Sequence, residues 1–243
     1  MVKGKMVAGI LGRYHPRWCF NGILFLFWAF SLSIGCGEVL AGAIGDPTAS
    51  GKAPSFNQLG FEYNSVERDM KVEESRFGGD ASSERLLLQG LYGVTPFTDL
   101  SLRIGMADLE TSRRGFNGDP GIAFGGGARW TLFQTGDLRV GIGFQFLQFF
   151  SRDGGSQTPR VTWAELESFF GGSFQGMERF TPYFGIAFSK AQGKLKGGST
   201  IRSDDLVGLF VGAEFLIFQN YYLMTEARII DENALMLRLN YHL

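Results

Sequence analysis

Five glutamates and five arginines are the residues of this chain best placed to do chemistry. Glu62, Glu165, Glu167, Glu214 and Glu226 stand against Arg103, Arg129, Arg139, Arg228 and Arg238, all on the polar phase of alternating segments. Equal numbers of carboxylates and guanidinium groups can neutralise one another as buried ion pairs, or can line a polar path for small solutes. Hydrolysis would need more, namely a histidine poised as general base beside a nucleophile. Past residue 43 the one histidine is His242, next to the last residue, and both cysteines, Cys19 and Cys36, lie before that point. A Ser-His mechanism therefore lacks a well-placed base and thiolate chemistry lacks a thiol, so no enzymatic activity and no cofactor are expected.

Other suggestive stretches weaken on inspection. Gly193-Lys194-Leu195-Lys196-Gly197-Gly198-Ser199-Thr200 has the ingredients of a phosphate loop in the wrong order. Asp204, Asp205, Asp231 and Glu232 supply oxygen ligands at spacings that match no calcium loop, so solvated acids are the better reading and no metal is expected. Gly125-Gly126-Gly127 and Gly141-x-Gly143 suit close strand packing better than a dinucleotide.

The elements that must hold the charged set are strands. In Ala234–Leu243 the residues Leu235, Leu237, Leu239, Tyr241 and Leu243 fall on one side, and Met236, Arg238, Asn240 and His242 on the other. Such alternation marks a strand with different surroundings on its two faces. An apolar strand with no cover beyond it invites aggregation unless its edge is paired, and closing a barrel onto the first strand pairs it. About ten such strands, with eight as an alternative, follow one another from Phe56 onward. Polar loops are expected at 71–83, 113–120, 152–159 and 193–205, and short turns at Thr95–Asp99, Gln134–Asp137, Gly171–Glu178 and Gln219-Asn220. The expected fold is an all-β, closed, antiparallel up-and-down barrel that crosses a membrane. Aromatics gather near the short turns, among them Phe56, Tyr92, Phe97, Trp130, Phe133 and Tyr221, as an interfacial girdle would require.

Composition agrees. Charged residues make up 19% of the 243, below the ~25% of typical soluble domains, whereas Gly (35) and Phe (24) are abundant. The face opposite the apolar one is rich in Gly, Ser, Thr and Gln, and lacks the Lys/Glu coat of a soluble exterior. A lipocalin-like soluble barrel, with the apolar face inward, is the competing orientation.

The first 43 residues look like a signal peptide: Lys3, Lys5, Arg13 and Arg17, then an apolar run from Trp18 to Ile34, then Ala41-Gly42-Ala43 as an A-x-A site. An uncleaved anchor, or a lipoprotein site at Cys36, are the alternatives. Removing residues 1–43 leaves 19 basic and 23 acidic residues, a formal charge of −4, and no electrostatic reason to expect nucleic acid. The remainder divides into a short polar leader at 44–53 and a barrel at 54–243.

The chain resembles the small outer-membrane β-barrel domain family, of opacity-type and porin-like proteins. The resemblance rests on Leu91-Tyr92-Gly93-Val94-Thr95-Pro96-Phe97-Thr98-Asp99-Leu100-Ser101-Leu102 as strand, periplasmic turn and strand, and on the terminal Leu237-Arg238-Leu239-Asn240-Tyr241-His242-Leu243. The family usually ends in an aromatic residue, where this chain has Leu243. The resemblance implies export to the bacterial outer membrane, contact with its lipid and lipopolysaccharide, and recognition of the terminal strand by the barrel assembly machinery. The role it implies is structural or surface-interacting, with a narrow solute channel as the alternative. The loops mix both charge signs and point to no surface ligand.

Overall fold

The computed structural model describes residues 42–72, 78–111, 116–153, 160–195, 200–203, 207–230 and 232–243. Of the expected signal peptide at 1–43, residues 1–41 lie outside the described residues. Eleven strands follow in order: β1 (Ser55–Val72), β2 (Gly78–Thr95), β3 (Thr98–Thr111), β4 (Phe116–Thr135), β5 (Leu138–Asp153), β6 (Arg160–Phe174), β7 (Phe180–Leu195), β8 (Thr200–Ser203), β9 (Val207–Phe218), β10 (Tyr221–Ile229) and β11 (Asn233–His242). All pairings are antiparallel. Ten strands close a barrel, because β11 pairs with both β10 and β1, in a register that sets Glu62 opposite Arg238 and Phe61 opposite Leu239. The seam leaves neither strand with a free edge.

The eleventh strand is β8, which the sequence reading placed inside a loop. β1 and β7 run 18 and 16 residues, whereas β9, β10 and β11 between them run 12, 9 and 10. Near the long-loop end β1 and β7 therefore outreach their neighbours and face each other with unpaired edges. β8 bonds to both, at Gln192–Lys194 of β7 and Met70–Val72 of β1, and gives those backbone groups partners. All four expected long loops are also shorter than anticipated, most of all the first two. β1 and β2 extend into 71–83, and β4 begins within 113–120. Polar residues there alternate in the strand phase like the apolar ones below them, so composition alone suggested a loop.

Facing is consistent along the strands. Leu102 and Phe184 are 70% and 64% exposed on the outer face, whereas Arg103, next along from Leu102, is 2% exposed. Leu235, Leu237, Leu239 and Leu243 point outward as expected. Aromatics cluster where the short turns are, with Tyr221 5.0 Å from Tyr241 and Phe180 4.8 Å from Phe215 between ring centres. Outward carboxylates such as Glu67, Glu84 and Glu110 lie toward the other end. The outer surface is thus an apolar belt with an aromatic rim.

Closure depends on Gly60. A Cβ there would stand 2.5 Å from Asn240 Oδ1 and 2.8 Å from Arg238 Cδ across the seam. We expect Gly60→Val to displace Arg238 and destabilise the folded barrel by roughly 1–3 kcal/mol. Urea titration followed by the gel shift between folded and boiled protein measures this, and an unchanged midpoint would contradict it.

Candidate functional site

The inner wall carries the charged set, and it is layered. Toward the long-loop end an apolar cluster lies inside the barrel, with Leu87, Leu109, Leu147, Phe149, Trp163 and Ile201 among its members. Embedded beside it, Arg85 grips Glu165 with both terminal nitrogens, one at 2.6 Å, and lies 5.4 Å from the Phe149 ring centre. The indole of Trp163 also donates to Glu165. Trp163, in phase with Glu165 and Glu167 in the sequence, therefore faces inward with them.

The middle layer is an ion-pair network. Arg228 reaches Glu167 at 2.5 Å, Glu226 at 3.1 Å and Glu232 at 3.0 Å. Arg238 pairs with Glu62 at 2.5 Å, and Arg103 stands 3.9 Å from the same carboxylate. Gln145 donates to Glu167 at 2.6 Å, and Tyr183 to Glu226 at 3.2 Å. Arg68 closes the network from β1 onto Glu232. Toward the short turns, Arg129 pairs with the fully buried Asp99 at 3.0 Å, while Glu214 accepts from Asn240 at 2.7 Å and lies 3.3 Å from His242 Nε2. His242 is stacked on Tyr222, with ring centres 4.0 Å apart.

Of the ten residues singled out in the sequence, Glu62, Arg103, Glu165, Glu167, Glu226, Arg228 and Arg238 are buried together in the upper and middle layers. Arg129, Arg139 and Glu214 stand lower, around a vestibule of about 310 Å³ at the short-turn end. Arg139 bonds Gln134 there rather than a carboxylate. Four participants went unrecognised: Arg68, Arg85, Asp99 and Glu232. Glu232 is turned onto Arg68 and Arg228, whereas Asp204, Asp205 and Asp231 lie outside the described residues. Among the described residues, no three His, Cys, Asp or Glu side chains are grouped to hold a metal ion.

The polar leader also belongs to the interior, and with it Gly42 and Ala43, which the sequence assigned to the end of the signal peptide. Residues 42–45 and 47–49 are buried, and their backbone bonds end on the inner wall. Arg103 and Arg238 donate to the Ala43 carbonyl, and Gln145 and Arg228 to that of Gly42. Gly141, on β5, makes room: a Cβ there would stand 2.3 Å from the Pro47 carbonyl oxygen. A sequence signal for this was available only in part, since an inward glycine can mean either close strands or a visiting backbone.

Burial alone would raise the Glu232 carboxyl, but the Arg68 and Arg228 guanidinium groups outweigh it and hold the carboxyl below the usual range. A carboxyl lowered by folding stabilises the folded state above its unfolded value, about 4.3 for Glu, and that stabilisation is lost as pH falls through the folded value. We expect Glu232→Gln to cost about 3 kcal/mol at pH 7 and to flatten the acid limb of stability below about pH 4. Denaturant titrations at pH 7 and pH 3 measure both. Parallel losses in the two proteins on acidification would contradict this role.

No family model and no curated protein matches the chain. Solved structures do. The COG4313 outer membrane channel from Pseudomonas putida F1 aligns at 10% identity over 84% of this chain and all of its own, with a TM-score of 0.50. The outer membrane protease OmpT from Escherichia coli aligns at 12% identity over 80% of this chain and all of its own, TM-score 0.42. The translocator domain of the autotransporter NalP from Neisseria meningitidis aligns at 10% identity over 96% of this chain and all of its own, TM-score 0.45. Likeness at such identities concerns the fold. The chain has the fold of outer-membrane β-barrels.

Proposed function

We propose that the chain is an integral β-barrel of the bacterial outer membrane, with its apolar belt in lipid and a filled, non-conducting lumen. Its role on this reading is structural, or one of presenting the long-loop end to the surroundings. The observation that carries the reading is the occupancy of the interior. An apolar cluster, an ion-pair layer and the leader follow one another along the lumen, and two internal voids beyond the vestibule measure about 10 and 20 Å³. Spaces of that size hold a single water at most.

The address is supported by the belt and its aromatic rim, and by β9, β10 and β11, close to the ~9–11 residues that span a bilayer at a tilt. The resemblance to the opacity-type family, through Leu91–Leu102 and the terminal strand, favours the same place. Lipid and lipopolysaccharide then cover the outer face, and Leu235, Leu237, Leu239, Tyr241 and Leu243 form the strand offered to the assembly machinery. Against an enzyme stands the setting of His242. Its hydrogen-bond partner is Glu214, while the vestibule hydroxyls Thr48 and Ser50 donate to Asp46 and Asp99. The second reading is a narrow solute channel, favoured by the vestibule, whose lining mixes Arg129 and Arg139 with Glu178 and Glu214.

Planar-bilayer recording of the purified chain separates the two. The filled-lumen reading expects a silent membrane; reproducible openings that vanish in Arg129→Gln or Glu214→Gln would establish the channel instead.

A further inference from the structure

The leader is held as a ligand is held. Along Gly42–Ser50 the main chain meets side chains of the barrel at amides and carbonyls alike. The Gly42 carbonyl accepts from Gln145 at 2.6 Å and Arg228 at 3.1 Å, that of Ala43 from Arg238 at 3.0 Å and from Arg103, and that of Asp46 from Arg129 at 2.7 Å. The amide of Ala43 donates to Glu62 at 3.2 Å, those of Ile44 and Gly45 to Glu226 at 3.1 and 2.8 Å, and that of Ser50 to Asp99 at 2.7 Å. None of these is a ladder bond. The barrel closes through β1 and β11 without the leader's help.

Recognition of this kind addresses the peptide group and selects for small side chains. A Cβ on Gly42 would stand 2.7 Å from Glu62 Oε1 and 3.0 Å from Asn64 Nδ2. Gly45 has φ +73°, and a Cβ there would stand 3.1 Å from Arg238 Nη1. The segment leaves the barrel at the short-turn end through Gly51 and Lys52, both exposed. Toward the long-loop end the interior holds the apolar cluster.

We infer that the inner wall is a peptide-binding socket, open at the short-turn end. Its ligand is a main chain with small residues at its first and fourth positions and a bend at its fifth to seventh, and Gly42–Ser50 occupies it as the chain's own ligand. This rests on the filled-lumen reading above, and on a mature chain that begins at or before Gly42 rather than after the Ala41-Gly42-Ala43 site. The covalent tether is then dispensable for occupancy, and a peptide of the same sequence competes for the socket.

The test uses full-length protein purified from membranes, with a specific protease sequence inserted between Lys52 and Ala53. After cleavage of the folded, detergent-solubilised barrel, the segment ending at Lys52 is expected to co-elute with the barrel in gel filtration. An excess of labelled synthetic peptide spanning Gly42 to Lys52 is expected to replace it. The same peptide carrying Gly45→Val should compete about tenfold less well, as a branched residue forced into the left-handed region must. A scrambled peptide should not enter. Release of the segment on cleavage, with the barrel still folded by its gel mobility, would overturn the inference, as would equal entry of the scrambled peptide. The two readings fail separately. Release from a barrel that is silent in bilayers sinks the socket alone, whereas a conducting barrel that still retains the cut segment sinks the filled lumen alone.

Discussion

A guanidinium group withdrawn from water needs a carboxylate beside it, and Arg228 has three. Breaking a buried pair costs on the order of 3–5 kcal/mol, because the abandoned charge stays behind. This constraint explains why the inner wall is organised as it is. Glu167 and Glu226 sit on different strands, β6 and β10, and Glu232 follows β10, so Arg228 ties the far wall of the barrel to the near one. Arg238 and Glu62 do the same across the closing seam, in the register that pairs β11 with β1. A slip of that seam by one residue would turn Arg238 outward and Leu237 inward, so the network and the apolar belt specify the same register.

The leader extends this logic. Its carbonyls give Arg103, Arg228 and Arg238 acceptors beyond the carboxylates, and its amides give Glu62 and Glu226 donors. An interior with many long polar side chains satisfies them most economically with backbone, which carries both donors and acceptors at close spacing. The glycines follow from the same need. Gly141 leaves space for the Pro47 carbonyl, and Gly60 for the stem of Arg238.

Much of this was legible in the sequence where the two faces differ. The alternation of Leu235 to Leu243 against Met236 to His242 located β11 and its facing, and the shared parity of the glutamates and arginines placed seven of the ten in the buried interior. Legibility failed where both faces are polar. Arg68 and Arg85 lie inward near the long-loop ends of β1 and β2, where the outward residues Glu67, Asp69, Ser82 and Glu84 are polar as well, so alternation of polarity did not mark which face is buried. Glu232 looked like a solvated loop acid because its partners come from β1 and β10. The leader has no period at all. Its position is dictated by partners on seven other strands, information that no local pattern carries.

Two tryptophans report directly on which face meets lipid. Trp163 is 2% exposed inside the barrel, beside Glu165, and Trp130 stands on the outer face against Phe144, their ring centres 5.8 Å apart. Fluorescence quenching in vesicles of brominated lipid, on Trp163→Phe and Trp130→Phe proteins freed of the N-terminal segment that carries Trp18 and Trp28, resolves them one at a time. Strong lipid quenching of Trp130, with Trp163 shielded from both lipid bromine and aqueous acrylamide, is the predicted result. Quenching of Trp163 by lipid and of Trp130 by acrylamide alone would mean that the barrel is inside out, and would contradict the account at its root.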